Sequence, residues 1–172
     1  MTKRGTLAKA VERFERASKK TRGESDLYRA AVECLAKIPH FHWTGIYLLR
    51  GDMLELDNFI GRPTEHVKIP VGKGICGSAV SRNANVIVED VARESNYLAC
   101  SIETRSEIVV LIRDGDEVVG EIDVDSDEPG AFDGEDERAL ESVAGIIVQR
   151  LREMRNGPGR KGKEGQTVPV RR

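Results

Sequence analysis

The residues of this chain whose types and spacing can do chemistry are a strand of alternating acids, three cysteines and one pair of aromatics. The acids lie in the stretch 118–125, VVGEIDVD. Side chains of a strand alternate between its two faces, so Ile122 and Val124 share one face and Glu121, Asp123 and Asp125 the other. Three carboxylates side by side repel. Either that face is solvated, or it floors a pocket that binds a cation or shares a proton. Crowded carboxylates raise one another's pKa, so one can stay protonated near neutrality. Glu107 opens the preceding strand. If the two strands pair around Gly115, it lies near the far end of the acid strand and can point at Asp123 or Asp125.

Cys34 falls on a helical apolar stripe and reads as core. Cys76 follows a glycine-rich turn, Gly72-Lys73-Gly74-Ile75, at the opening of a short helix. A helix start lowers a thiol's pKa, so Cys76 is either a reactive thiol or a small buried residue. Cys100 sits in a long irregular connection, where the same two readings apply. No CxxC or Cys/His grouping has zinc spacing, and the expectation is no metal. Trp43 and Tyr47, four apart on a strand, share a face; they are core or an aromatic wall for a small ligand. His40, His42 and His66 have no ligand set beside them and read as structural.

The elements that must position these residues follow from periodicity. A helix is predicted over 6–21 and a second from a Ser25 cap to Ile38, stopped by Pro39. The period then becomes two. Strands are predicted at 42–50 and 53–60 around Gly51-Asp52, then at 66–70, 86–88, 107–113 and 117–125. The last two flank Asp114-Gly115-Asp116, a strong hairpin signal. A short helix is expected at 76–82 and a final one at 135–155, capped by Asp133. Helices at both ends around about six strands imply an α+β two-layer form. The terminal helices cover one face of an antiparallel sheet, and a loop-covered pocket lies on the other. Residues 1–24 read as a helical extension, 25–155 as the domain and 156–172 as a flexible basic tail.

The net charge of −2 divides unevenly, because residues 156–172 hold five Lys/Arg against one Glu. The remaining body is acidic, which speaks against a nucleic-acid partner. No apolar run approaches the ~20 residues of a membrane span. The odd cysteine count and the charged start at Met1-Thr2-Lys3-Arg4 predict a cytoplasmic chain without a disulfide framework.

Four segments in order resemble the free methionine-(R)-sulfoxide reductases, small stand-alone GAF-domain enzymes. They are Trp43-Thr44-Gly45-Ile46-Tyr47-Leu48-Leu49, then Ile69-Pro70-Val71-Gly72-Lys73-Gly74-Ile75-Cys76-Gly77, then Leu98-Ala99-Cys100 with Ser106-Glu107-Ile108-Val109, and finally Gly120-Glu121-Ile122-Asp123-Val124-Asp125-Ser126. The resemblance covers roughly residues 25–152 and implies a GAF-like (PAS/profilin-like) fold. It implies that Cys100 attacks the sulfoxide sulfur. It implies that Glu107, Asp123 and Asp125 bind the substrate and protonate its oxygen, with Trp43 and Tyr47 packed on the S-methyl end. The family's third cysteine precedes a Val-Lys-Ile-Pro segment; here that stretch carries His66 and no cysteine. The resemblance then leaves two routes: Cys76 condenses with the Cys100 sulfenic acid to a disulfide that thioredoxin reduces, or, where Cys76 does not reach, a small thiol or thioredoxin reduces Cys100 directly; no tightly bound cofactor is expected. A homodimer through the terminal helices is also implied. The competing expectation is a GAF domain that binds a ligand or senses redox state without turnover.

Overall fold

The computed structural model describes residues 2–98 and 101–157. Helices α1 (Lys3–Ser18) and α2 (Glu24–Leu35) precede strands β1 (Trp43–Arg50), β2 (Met53–Ile60) and β3 (Lys68–Pro70). Helix α3 (Gly74–Arg82) and strand β4 (Val86–Val88) follow, then β5 (Ser106–Asp114), β6 (Glu117–Ser126) and α4 (Gly134–Asn156). The six strands form one antiparallel sheet in the order β3-β2-β1-β6-β5-β4. The α+β two-layer expectation is met.

Helix α1 starts at Lys3 rather than residue 6, because the Thr2 hydroxyl accepts from Gly5 N at 3.2 Å. It stops at Ser18 rather than 21, where the Thr21 hydroxyl donates to the Ser18 carbonyl and closes the turn. Ser25 is not a cap: Gly23 holds that position without a side-chain bond, and the Ser25 hydroxyl donates to Asp57 instead. Asp133 does cap α4, in a reciprocal capping box with Asp136. Lys3 Nζ reaches Asp133 at 2.8 Å and Asp136 at 2.6 Å, tying the start of α1 to the start of α4.

One face of the sheet carries Ile46, Ile108, Val110, Ile112, Ile122 and Val124 against α1, α2 and α4. Phe14, Leu27, Leu140 and Ile147 fill that layer from the helices, and α1 shares it through Leu7, Ala10 and Phe14. Each fully buried large aliphatic side chain there contributes about 1.5–3 kcal/mol. Cys34 lies in this layer, as its stripe predicts. The opposite face carries Trp43, Tyr47, Val109 and Leu111, with α3 packed on it through Ile75, Cys76 and Ala79.

The β5–β6 hairpin contains a register shift. Asp114 pairs with Glu117 and Arg113 with Val118, but Ile112 pairs with Gly120. Val119 is therefore the extra residue of a β-bulge. Beyond it Glu107 pairs with Asp125, Val109 with Asp123 and Leu111 with Glu121. Without the bulge Glu107 would stand opposite Val124, on the helix-covered face. The inserted residue is what brings four acids onto the α3 side.

Candidate active site

The acid face is an interior surface. Glu121 and Asp123 are 0% exposed, Asp125 1% and Glu107 3%. Of the two readings open from the sequence, the solvated face is excluded. The only side-chain donors beside the carboxylates of Glu121, Asp123 and Asp125 among the described residues are the Cys76 thiol, near Glu121 and Asp123, and Thr104, near Asp125, and none makes a hydrogen bond of normal geometry. Buried carboxylates left this way hold their protons, because burial penalises the charged form. Burial pushes Glu121 up to about 8, and the nearby Cys76 thiol offsets this only in part. Asp123 is also raised, by burial and then by Glu121. Burial and then the charges of Asp123, Asp125 and Glu121 hold Glu107 well above the usual carboxylate range. Asp125 is raised by burial and by Asp123, with Thr104 and Arg62 pulling the other way.

Cys76 lies in the first turn of α3, and its thiol donates toward Glu107 Oε1 at 3.9 Å. The turn before it is held by Gly77 N on the Lys73 carbonyl and Gly72 N on the Gly77 carbonyl. One ligand-capable atom each of Cys76, Glu107 and Asp123 lies within 4.8 Å of the other two, and all three residues are buried. Local spacing could not find this group, because its members come from α3, β5 and β6.

The aromatic pair lies on the strand next to the acids and is buried in the apolar cluster under α3. The register sets Trp43 beside Asp125, Gly45 beside Asp123 and Tyr47 beside Glu121. The Trp43 indole lies across Gly45, where a Cβ would sit 2.2 Å from the ring. It stacks on Phe59 with centroids 5.7 Å apart and reaches Tyr47 at 6.4 Å. Trp43 Nε1 donates to the Arg62 carbonyl at 3.1 Å, and the Tyr47 hydroxyl donates to the His66 carbonyl at 2.8 Å. These two bonds tie the loop of residues 61–67 to β1. His40 bonds Asp136 and His42 bonds Ser126, so both serve structure as expected.

Cys100 lies outside the described residues; the segments on either side of it do not. On one side Asn96 Nδ2 donates to the carbonyls of Gly72 and Gly74 and to the Ser78 hydroxyl, and Leu98 packs on Gly74. That segment is thereby fastened to the start of α3, where Cys76 sits. On the other side Arg62 Nε donates to the Ser101 hydroxyl at 3.0 Å and faces Glu103 at 3.5 Å. The same guanidinium forks onto both oxygens of Asp127, just past the end of β6. Sequence reading missed Arg62, because its partners are 39 and 65 residues away. It named Glu121 in the acid ladder but did not carry it into the binding set.

The site is a buried group of four acids on one sheet face, with the Cys76 thiol against Glu107 and Asp123 and the Trp43–Tyr47 pair on the neighbouring strand. It can hold a cationic group and donate a proton from a neutral carboxyl. The GAF domain family matches residues 21–152. A protein of Escherichia coli called free methionine-R-sulfoxide reductase is 38% identical over 115 residues, covering 67% of this chain and 69% of that protein. The solved free methionine-R-sulfoxide reductase of Neisseria meningitidis, in complex with its substrate, has a TM-score of 0.85 at 28% identity, over 90% of this chain and 93% of that one. The type II free methionine-R-sulfoxide reductase of Thermoplasma acidophilum gives 0.71 at 39%, over 77% of this chain and 97% of that one.

Proposed function

This chain belongs to the GAF-domain family and, within it, to the free methionine-R-sulfoxide reductases, and we propose how its own residues reduce free L-methionine-(R)-sulfoxide to methionine. The observation that carries the reading is the row of four buried acids, with Cys76 against Glu107 and Asp123 and the Trp43–Tyr47 pair on the neighbouring strand. A free amino acid brings an ammonium group, and a peptide-bound residue brings an uncharged amide. Carboxyls that burial leaves unpartnered favour the former, since an arriving cation lets one of them ionise. Asp123 and Asp125 hold the ammonium, and Trp43 and Tyr47 pack on the S-methyl end.

The Cys100 thiolate attacks the sulfoxide sulfur while a neutral carboxyl of the Glu107 group protonates its oxygen, and the hydroxyl then passes to the Cys100 sulfur as the new S–S bond breaks and releases the thioether. Methionine leaves reduced by two electrons, and Cys100 is left as a sulfenic acid. The Cys76 thiol then forms the S–S bond and expels water. A dithiol reductant of the thioredoxin class reopens the disulfide and becomes oxidised in turn. The ties of Asn96 to the start of α3 support this pairing, because they fasten the segment before Cys100 to the turn that carries Cys76. His66 stands where the resemblance expects a third cysteine, and it meets Tyr47 through its backbone carbonyl. Such chemistry belongs in a reducing compartment, so we place the enzyme in the cytoplasm. No helix among the described residues is long and apolar enough to cross a membrane. The homodimer belongs to the same proposal, through the outer faces of α1 and α4, and sedimentation tests it. A GAF domain that only binds or senses is not favoured by these relatives.

The test is a single turnover. Reduced protein is mixed with free L-methionine-(R)-sulfoxide without added reductant. One methionine formed and two thiols lost per chain is the expected result. Cys100→Ser abolishes methionine formation, and Cys34→Ser changes nothing. Methionine formation that survives Cys100→Ser refutes the mechanism, and one thiol lost instead of two removes Cys76 from it.

A further inference from the structure

Three donor atoms from three elements, α3, β5 and β6, converge in the buried acid cluster. The Cys76 sulfur and one carboxylate oxygen from each of Glu107 and Asp123 lie within 4.8 Å of one another. The Cys76 Sγ to Glu107 Oε1 separation is 3.9 Å. A tetrahedral zinc ion bonds sulfur at about 2.3 Å and carboxylate oxygen at about 2.0–2.2 Å, which sets S and O roughly 3.5 Å apart. Closing the trio onto an ion therefore needs small side-chain rotations and no movement of the strands. The Asp123 carboxylate is fully buried, and neither of its oxygens makes a hydrogen bond of normal geometry; the donor beside it is the Cys76 thiol itself. Glu121, also beside Cys76, and Asp125, beside Thr104, lie on the same strand face and likewise lack such a bond. A buried, unpartnered carboxylate is the costly state that a bound cation relieves.

We propose that the reduced, substrate-free pocket is a binding site for a thiophilic divalent cation of the zinc class, held by Cys76 Sγ, Glu107 and Asp123 with a fourth position open to the pocket. The donor set selects the ion. A thiolate is a soft ligand that calcium and magnesium do not seek, and both prefer six or more oxygens. Three protein ligands and one open position make a tetrahedral arrangement with room for water or another small ligand. Binding breaks no covalent bond other than the acidic S–H and O–H bonds; the protons pass to the buffer as the metal bonds form. The ion occupies the thiol and two of the acids that the preceding section gives to the substrate, so loading with metal is a reversible block on turnover. Only that last consequence rests on the proposed function. The site itself stands on its three ligands.

The full, reduced chain is titrated with Co²⁺ in a buffer that does not chelate it, and the bound ion is then displaced with Zn²⁺. One ion per chain, an intense tetrahedral d–d spectrum and a thiolate-to-cobalt charge-transfer band are expected. Cys76→Ser removes the charge-transfer band. Asp123→Asn weakens binding at least tenfold. Cys34→Ala and Cys100→Ser keep the band, and circular dichroism checks that each variant is folded. A wild-type protein with no thiolate band, a band that survives Cys76→Ser, or one that disappears in Cys100→Ser overturns the proposal. Free L-methionine-(R)-sulfoxide is then added to the cobalt form. Release of cobalt supports a shared site. A retained band with the substrate bound beside it upholds the metal site and counts against the substrate placement.

Discussion

Replacing Glu121 by Gln tests whether the acid face is held neutral by burial. Glu121 is 0% exposed, its oxygens make no hydrogen bond of normal geometry, and burial, offset only in part by the Cys76 thiol, raises its pKa from 4.5 to about 8. Between those two values the folded chain keeps a proton that the unfolded chain has lost. Unfolding then releases a proton, so a rise in pH favours the unfolded state. The contribution is fully present below the unfolded pKa and is lost as the pH climbs through the folded one. The slope is about 1.4 kcal/mol per pH unit for each proton held. For Glu121 alone, the span from about pH 5 to 8 corresponds to about 4 kcal/mol. Asp123, Glu107 and Asp125 are raised as well, so the wild-type curve falls more steeply than a single group would make it. Gln has nearly the same shape and no proton to lose. Urea unfolding of the substrate-free protein at several pH values in that range should give a wild-type stability that falls with pH. The Glu121→Gln curve should be flatter by at least one proton's worth, with the variant the more stable protein at the alkaline end. Parallel curves, or a wild-type stability that rises with pH, would refute the reasoning. Either would mean that these acids are ionised in the folded chain and compensated by a cation.

Other outcomes follow from the same geometry. Substrate binding should release close to one proton near neutrality, since an ammonium group entering the acid cluster stabilises an ionised carboxylate. Calorimetry in two buffers of different ionisation enthalpy measures this, and binding without proton release contradicts it. Gly45→Ala places a methyl group where the Trp43 ring now lies, 2.2 Å from its nearest carbon. It should raise KM by roughly tenfold, the equivalent of about 1.4 kcal/mol, and cost about 1–3 kcal/mol of stability from overpacking. Arg62→Ala cuts the tie between Ser101, Glu103 and Asp127. Arg62 is 40% exposed, so stability should change by no more than about 1 kcal/mol. The rate should fall roughly 10–100-fold, because the loop next to Cys100 loses its anchor. Arg62→Lys, which keeps the charge and loses the fork, should recover only part of it. An unchanged kcat in Arg62→Ala removes the positioning role.

How much of the site was legible depended on whether its cause was local. Strand alternation placed Glu121, Asp123 and Asp125 on one face without any tertiary information, because the pleat has a period of two. It could not say which face was interior. That is decided by α3, whose Ile75, Cys76 and Ala79 cover the acid side while the long helices cover the other. The hairpin turn was equally plain in Asp114-Gly115-Asp116, yet counting outward from it pairs Glu107 with Val124. The chain resolves this conflict in favour of burial. Ile108, Val110 and Ile112 must face the helices with Ile122 and Val124, and one register places them there only if a residue is spare. Val119 is that residue, and both it and Gly120 fall between the faces set by Val118 and Glu121. The bulge is therefore readable in retrospect as a clash between turn geometry and hydrophobic phase, and Glu107 reaches the acid cluster because the phase wins. Arg62 had no such signal. Its fork onto Asp127 and its bond to Ser101 join segments that are remote in sequence and meet only after the sheet has closed. The chain thus encodes its buried acid row in strand periodicity, while the fastening of the segment beside Cys100 depends on contacts that periodicity does not carry.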